Sequence, residues 1–241
     1  MTDMNEQARQ VNQLAGQGNP SERRFGFKDM LKGIENLQPS AAQTDRRRIA
    51  RSLQDIASHI IRMDATPDQL SAYAQEVEAL ALRLAQQGKV DGAELFKRMI
   101  NSEATGDDVF LSQDFNILSG KASAVAFPMD MEVVGERVQG SAYVPLPFQG
   151  PPQRVHGGIV AAMFDILLAR TQVISGIFGY TASLEIKYHA ATPLETDLQL
   201  EAWVEKIDGR KMFNAGKIMV DGKLCASARG LWIQPKVGFM G

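Results

Sequence analysis

The sequence predicts an α+β protein in which an N-terminal helical region precedes a curved antiparallel sheet wrapped around one central helix. Three observations carry that prediction. Apolar residues recur at three- and four-residue steps through roughly the first hundred positions and alternate singly after them. Asp208-Gly209 and Asp221-Gly222 separate the last alternating runs, and Asp-Gly in that setting is a strong hairpin signal. Finally, Gly157 to Ser175 reads GGIVAAMFDILLARTQVIS, apolar on nearly every face, which marks a helix buried all round.

Taken in order, the elements begin with weak helical signals over residues 1–40, broken by Gly16, Gly18 and Pro20. A helix from about Thr44 to Met63 follows, with Ile49, Leu53, Ile56, Ile60 and Ile61 in step. Thr66-Pro67 sets a capping hydroxyl before a first-turn proline. Leu70, Tyr73, Ala74, Val77, Leu80, Ala81 and Leu84 then form one stripe, and Gly88 ends the helix. A shorter helix runs from Asp91 to Ile100. The polar stretch Asn101 to Asp108 marks the boundary, dividing the chain into a helical region, 1–105, and a sheet domain, 106–241. Alternating runs at 130–144, 180–190, 197–207, 211–220 and 223–234 give one strand, the helix, and a meander of four strands.

Composition narrows the function. The 241 residues are 44 % hydrophobic, enough for a full core, and the formal charge is −2. Residues 1–105 carry 14 basic and 14 acidic side chains and the remainder 12 and 14, so nucleic acid is not expected as a partner. Cys225 is the single cysteine, so no internal disulfide or cysteine-based zinc cluster can form, and its alternating surroundings read as a buried structural thiol. No apolar leader opens the chain and no run of about 18 apolar residues is evident, so a cytoplasmic protein without membrane contact is expected.

Within the apolar helix Asp165 is the only acid. A carboxylate in apolar surroundings is costly unless paired or functional, and desolvation raises the pKa of a buried carboxyl. Pairing with Arg170 is the structural alternative, although five residues is a poor spacing for an intrahelical pair. His156-Gly157-Gly158 opens the same helix, where free amides favour an anionic oxygen and glycines allow close approach. Gly158 and Asp165 share a face but stand about 10 Å apart along the axis. One substrate carbonyl cannot meet both on one helix, so the geometry calls for a second copy to complete the site.

These residues resemble a family. Val155-His-Gly-Gly-Ile-Val-Ala-Ala-Met-Phe-Asp165, Tyr180-Thr-Ala-Ser-Leu-Glu-Ile-Lys-Tyr188, Thr192-Pro-Leu194 and Asp208-Gly-Arg-Lys211 together are similar to the hotdog-fold acyl-CoA thioesterases of the phenylacetate-pathway and THEM4-like type, over about residues 125–235. The resemblance implies a hotdog fold, an acyl-CoA substrate, no cofactor, and a homodimer or dimer of dimers with the site at the subunit interface. It implies that the amide of Gly157 or Gly158 polarises the thioester carbonyl, that Asp165 is general base or nucleophile, and that Thr181 positions water or the carboxylate. His156 would orient the loop or contact substrate. Many members carry a polar residue such as Asn in the loop before the glycines. Here that loop is Phe148-Gln-Gly-Pro-Pro-Gln-Arg154, leaving the role to Gln149, Gln153 or none.

Strict alternation sets Thr181 opposite Leu184 and Ile186, so either a bulge opens that strand or Thr181 faces a partner. Arg210 and Lys211 are candidate contacts for coenzyme A phosphates, against the plain alternative of solvated turn residues. Met163, Phe164, Leu167 and Leu168 line either an acyl tunnel or the core. His59 reads as structural, His189 ends a strand, and Arg46-Arg47-Arg48 is a solvated helix face. The competing function is a non-catalytic acyl-CoA sensor, which would have no need of Asp165; a hotdog dehydratase lacks its hydratase motif here.

Overall fold

The computed structural model describes residues 24–25, 37–114 and 116–236; the signals read over residues 1–40 lie, apart from 24–25 and 37–40, outside them. The helices are α1 (Ala41–Ile60), α2 (Pro67–Ala85), α3 (Gly92–Ile100), α4 (Gly106–Asp114), α5 (Gly157–Arg170) and the single turn α6 (Gln172–Ser175). The strands are β1 (Met129–Val134), β2 (Arg137–Tyr143), β3 (Tyr180–Tyr188), β4 (Asp197–Asp208), β5 (Lys211–Val220) and β6 (Lys223–Ile233). Two compact units result, Met1–Thr44 with Lys89–Gln113, and Asp45–Gly88 with Asp114–Gly241.

In the first unit Phe25, Met99, Ala104 and Val109 form a small core with Leu37 against it. The polar stretch Asn101 to Asp108 lies within this unit. Thr105 Oγ1 accepts the Asp108 N–H at 3.2 Å and Asp108 Oδ2 accepts the Thr105 N–H at 2.9 Å, a reciprocal cap that starts α4. Burial pushes the Asp108 carboxyl up, but hydrogen bonds from Arg98 and Thr105 outweigh it and leave it below its ordinary value.

The second unit holds the sheet, in the order β1-β2-β4-β5-β6-β3 and antiparallel throughout. Its concave face grips α5 through Val160, Met163, Phe164, Leu167 and Leu168, which meet Leu198, Met212, Ile218, Ala228 and Trp232 in one core. Each Val, Leu, Ile, Phe or Met among them contributes about 1.5–3 kcal/mol on burial. This is the hotdog arrangement that the sequence led us to expect. Against the expectation that no such run exists, Gly157–Ser175 is long and apolar enough, with a mean hydropathy of 1.5, to qualify as a membrane span; its largest side chains instead fill the sheet.

Three expectations need correction. The run 130–144 is a hairpin rather than one strand, because Gly135 adopts φ +60° and turns the chain between Val134 and Arg137. The last four strands are not a meander: β3 pairs with β6, while β4 lies between β2 and β5. Nor is α5 covered on every face within one chain, since Gly158 is exposed and Ala162, Asp165, Ile166 and Ala169 are only half-buried.

Of the remaining helices, α2 has the foreseen capping box from Thr66 and Gln69, yet none of its residues is buried. On α1 the arginine run is not wholly solvated: Arg47 reaches Asp114 with two bonds of 3.3 Å, and Gln54 donates to the Ser123 carbonyl at 2.8 Å. His59 is exposed in the last turn of α1. Cys225 is buried on β6, where desolvation pushes its thiol up.

Candidate functional site

The opening of α5 is built from a loop folded back on itself. His156 N–H donates to the Phe148 carbonyl and Val155 N–H to the Thr192 carbonyl, each at 2.9 Å. Gln149 Oε1 accepts the Gln153 N–H at 3.0 Å, so its side chain closes the loop. A Cβ on Gly150 would stand 2.9 Å from His156 Cα, so only glycine lets the loop lie this close to the turn.

His156 is the helix N-cap, at φ −60° and ψ 135°, and its Nδ1 accepts the Gly158 N–H at 3.0 Å. The two candidate amides therefore differ. Gly158 already gives its proton to His156, whereas the Gly157 N–H has no acceptor among the described residues. Across the Gly157–Gly158 peptide from the Gly158 N–H, the Tyr188 hydroxyl donates to the Gly157 carbonyl at 2.8 Å. Tyr188 is a contact that sequence reasoning missed, because a tyrosine ending a strand looks like any other half-buried aromatic.

Two turns along α5, Asp165 Oδ1 accepts a hydrogen bond of 2.8 Å from Thr181 Oγ1. The strand makes that contact through a bulge. Thr181 pairs with Trp232 and Ser183 with Leu231, so Ala182 is the extra residue and Thr181 joins Leu184 and Ile186 on the inward face. Arg170 does not reach Asp165. It stands about 140° further round the helix, and burial alone pulls its guanidinium below the ordinary value.

The hydroxyl–carboxylate pair and the His156-Gly157-Gly158 turn are thus tied to opposite ends of β3, Thr181 near its start and Tyr188 at its end. Arg210 and Lys211 sit at the Thr181 end, since Lys211 and Tyr180 both pair with Ile233; Arg210 donates to the Gln234 carbonyl at 2.8 Å. His189 lies beyond β3 and shares a 2.8 Å hydrogen bond with Ser227. Met163, Phe164, Leu167 and Leu168 are fully buried in the core.

Comparison with known proteins agrees with the recognised pattern. Residues 153–226 match the family model described as the thioesterase superfamily. The chain is 34 % identical to mouse acyl-coenzyme A thioesterase THEM4 over 91 residues, covering 37 % of this chain and 39 % of that protein. The Xenopus laevis protein of the same name is 33 % identical over 102 residues, covering 41 % and 46 %. The chain thus spans less than half the length of these curated relatives. A crystal structure of a thioesterase superfamily protein superposes with a TM-score of 0.66 at 26 % identity, covering 81 % of this chain and 96 % of its own. The hotdog-fold thioesterase resemblance read from the sequence is supported by family model, relatives and fold alike.

Proposed function

We propose that the chain hydrolyses acyl-coenzyme A thioesters to the free acid and coenzyme A, at a site assembled from two copies. The observation that carries this reading is the 2.8 Å hydrogen bond from Thr181 to Asp165. A hydroxyl spent on one carboxylate oxygen fixes the side chain and leaves the other oxygen to act on water or on the thioester carbon. A domain that merely bound acyl-CoA would have no use for that arrangement.

The Gly157 N–H supplies the second half of the chemistry, a donor for the oxygen that becomes negative as the carbonyl is attacked. Asp165, as general base, takes a proton from water; the water oxygen bonds to the carbonyl carbon, the C–S bond breaks, and coenzyme A leaves as a thiolate. As nucleophile, its oxygen bonds to that carbon, the C–S bond breaks and coenzyme A leaves as a thiolate; water then hydrolyses the resulting mixed anhydride to the free acid and restores the carboxylate. Arg210 and Lys211, beside the Thr181 end of β3, are the cations that would meet the phosphates of coenzyme A.

The fold supports assembly from two copies. β3 is a nine-residue strand at the edge of the sheet, and among the described residues no strand pairs with its outer side. Antiparallel pairing of two such edges brings the Thr181 end of one copy beside the Tyr188 end of the other. Asp165 of one copy then faces the Gly157 turn of its partner. The test is a hydrolysis screen over aliphatic and aromatic acyl-CoAs with wild type and Asp165→Asn. Turnover of at least one thioester, lowered about a hundredfold or more in the variant, is the expected result; equal rates in both proteins would remove Asp165 from the reaction.

A further inference from the structure

We propose that Tyr188 is a positioning residue, and that its phenol and the His156 imidazole clamp the Gly157–Gly158 peptide from both sides. The inference rests on reading the Gly157 turn as the site that polarises the thioester carbonyl.

Two consecutive glycines make the start of α5 the most permissive stretch of backbone in the site. A donor aimed at a developing negative charge works only if it is held before the reaction begins. The peptide linking Gly157 and Gly158 is planar, so bonds at its two poles fix its plane. One pole is the Gly157 carbonyl, which receives the Tyr188 hydroxyl at 2.8 Å. The other is the Gly158 N–H, which donates to His156 Nδ1 at 3.0 Å. The preceding peptide is also pinned, because the His156 carbonyl accepts the N–H groups of Ile159 and Val160 at 2.9 and 3.1 Å. The Gly157 N–H belongs to that second peptide and has no acceptor among the described residues, so it stands free between two fixed planes. Hydrogen bonding at the carbonyl of a peptide also makes its N–H a better donor.

Packing does not account for the phenol. Tyr188 is 55 % exposed, and a Cβ on Gly157 would meet its hydroxyl at 3.6 Å, ordinary contact. What the hydroxyl does is join the end of β3, through Tyr188, to the backbone of the turn.

The test is steady-state kinetics on the best thioester from the screen, using the full-length chain. Tyr188→Phe lowers kcat about tenfold with KM within about twofold and the thermal midpoint unchanged. His156→Ala lowers kcat similarly, while His156→Asn, whose side chain can also cap the Gly158 N–H, recovers most of that loss. Because both side chains hold one peptide, the Tyr188→Phe/His156→Ala double variant is little worse than the worse single. Losses that multiply, or an unchanged kcat in Tyr188→Phe, overturn the clamp while leaving the thioesterase reading intact. A wild-type chain that hydrolyses no thioester overturns both.

Discussion

At Gly157 the site can be dissected one atom at a time. It is the first residue of α5, a position where proline is tolerated because its N–H has no helical partner. His156 before it is already extended at φ −60° and ψ 135°, as a residue preceding proline must be. Gly157→Pro therefore deletes the free N–H and little else, and it is expected to reduce kcat about a hundredfold with the fold intact by circular dichroism. Thr181→Val makes the matching subtraction on the other half-site. It keeps the branched shape but removes the proton given to Asp165, and kcat falls about tenfold while Thr181→Ser stays near wild type. Asp165 and the glycine turn were legible in the sequence because a lone acid in an apolar helix and a Gly-Gly at its start both break local rules. Tyr188 breaks none, so nothing in the linear pattern sets it apart.

Among the strands, the same contrast explains what periodicity could and could not give. Alternation and Asp-Gly turns located β4, β5 and β6, and the turn at Asp221 and Gly222 has the positive φ angles, +48° and +76°, that such a hairpin demands. Which strands become neighbours is a tertiary matter, so the pairing of β3 with β6 was not readable. The Ala182 bulge shifts the side-chain phase without leaving a compositional mark. Pairing also creates an electrostatic tie across three strands, where Glu201 on β4 meets Lys217 on β5 at 2.6 Å and Arg137 on β2. The Lys217 hydrogen bond, the largest influence, helps hold the Glu201 carboxyl below its ordinary value. A carboxyl depressed in the folded state stabilises at pH above its unfolded pKa, about 4.3, and that contribution fades as pH falls through the lower folded value. Glu201→Gln should thus lower the urea midpoint at pH 7 by the equivalent of about 1 kcal/mol, and the gap should shrink steadily below pH 4.

For the molecule as a whole, the question is whether two copies share each site. Within one chain the turn and the carboxylate are about 10 Å apart along α5 and fastened to opposite ends of β3. A site completed across a two-fold contains Asp165 from one copy and the Gly157 turn from the other, and this arrangement makes a complementation test decisive. Asp165→Asn and Gly157→Pro are each expected to keep only about a hundredth of the wild-type rate alone. Unfolded together, refolded and mixed in equal amounts, half of the dimers are mixed, and each mixed dimer holds one site with both native groups and one with neither. About a quarter of wild-type activity should return, and size-exclusion with light scattering should show the active species at twice the chain mass or a multiple of it. If both groups acted within one chain, no mixing would restore any rate. Varying the ratio of the two variants at constant total protein should give activity that follows the product of the two mole fractions, a dependence that a shared site produces.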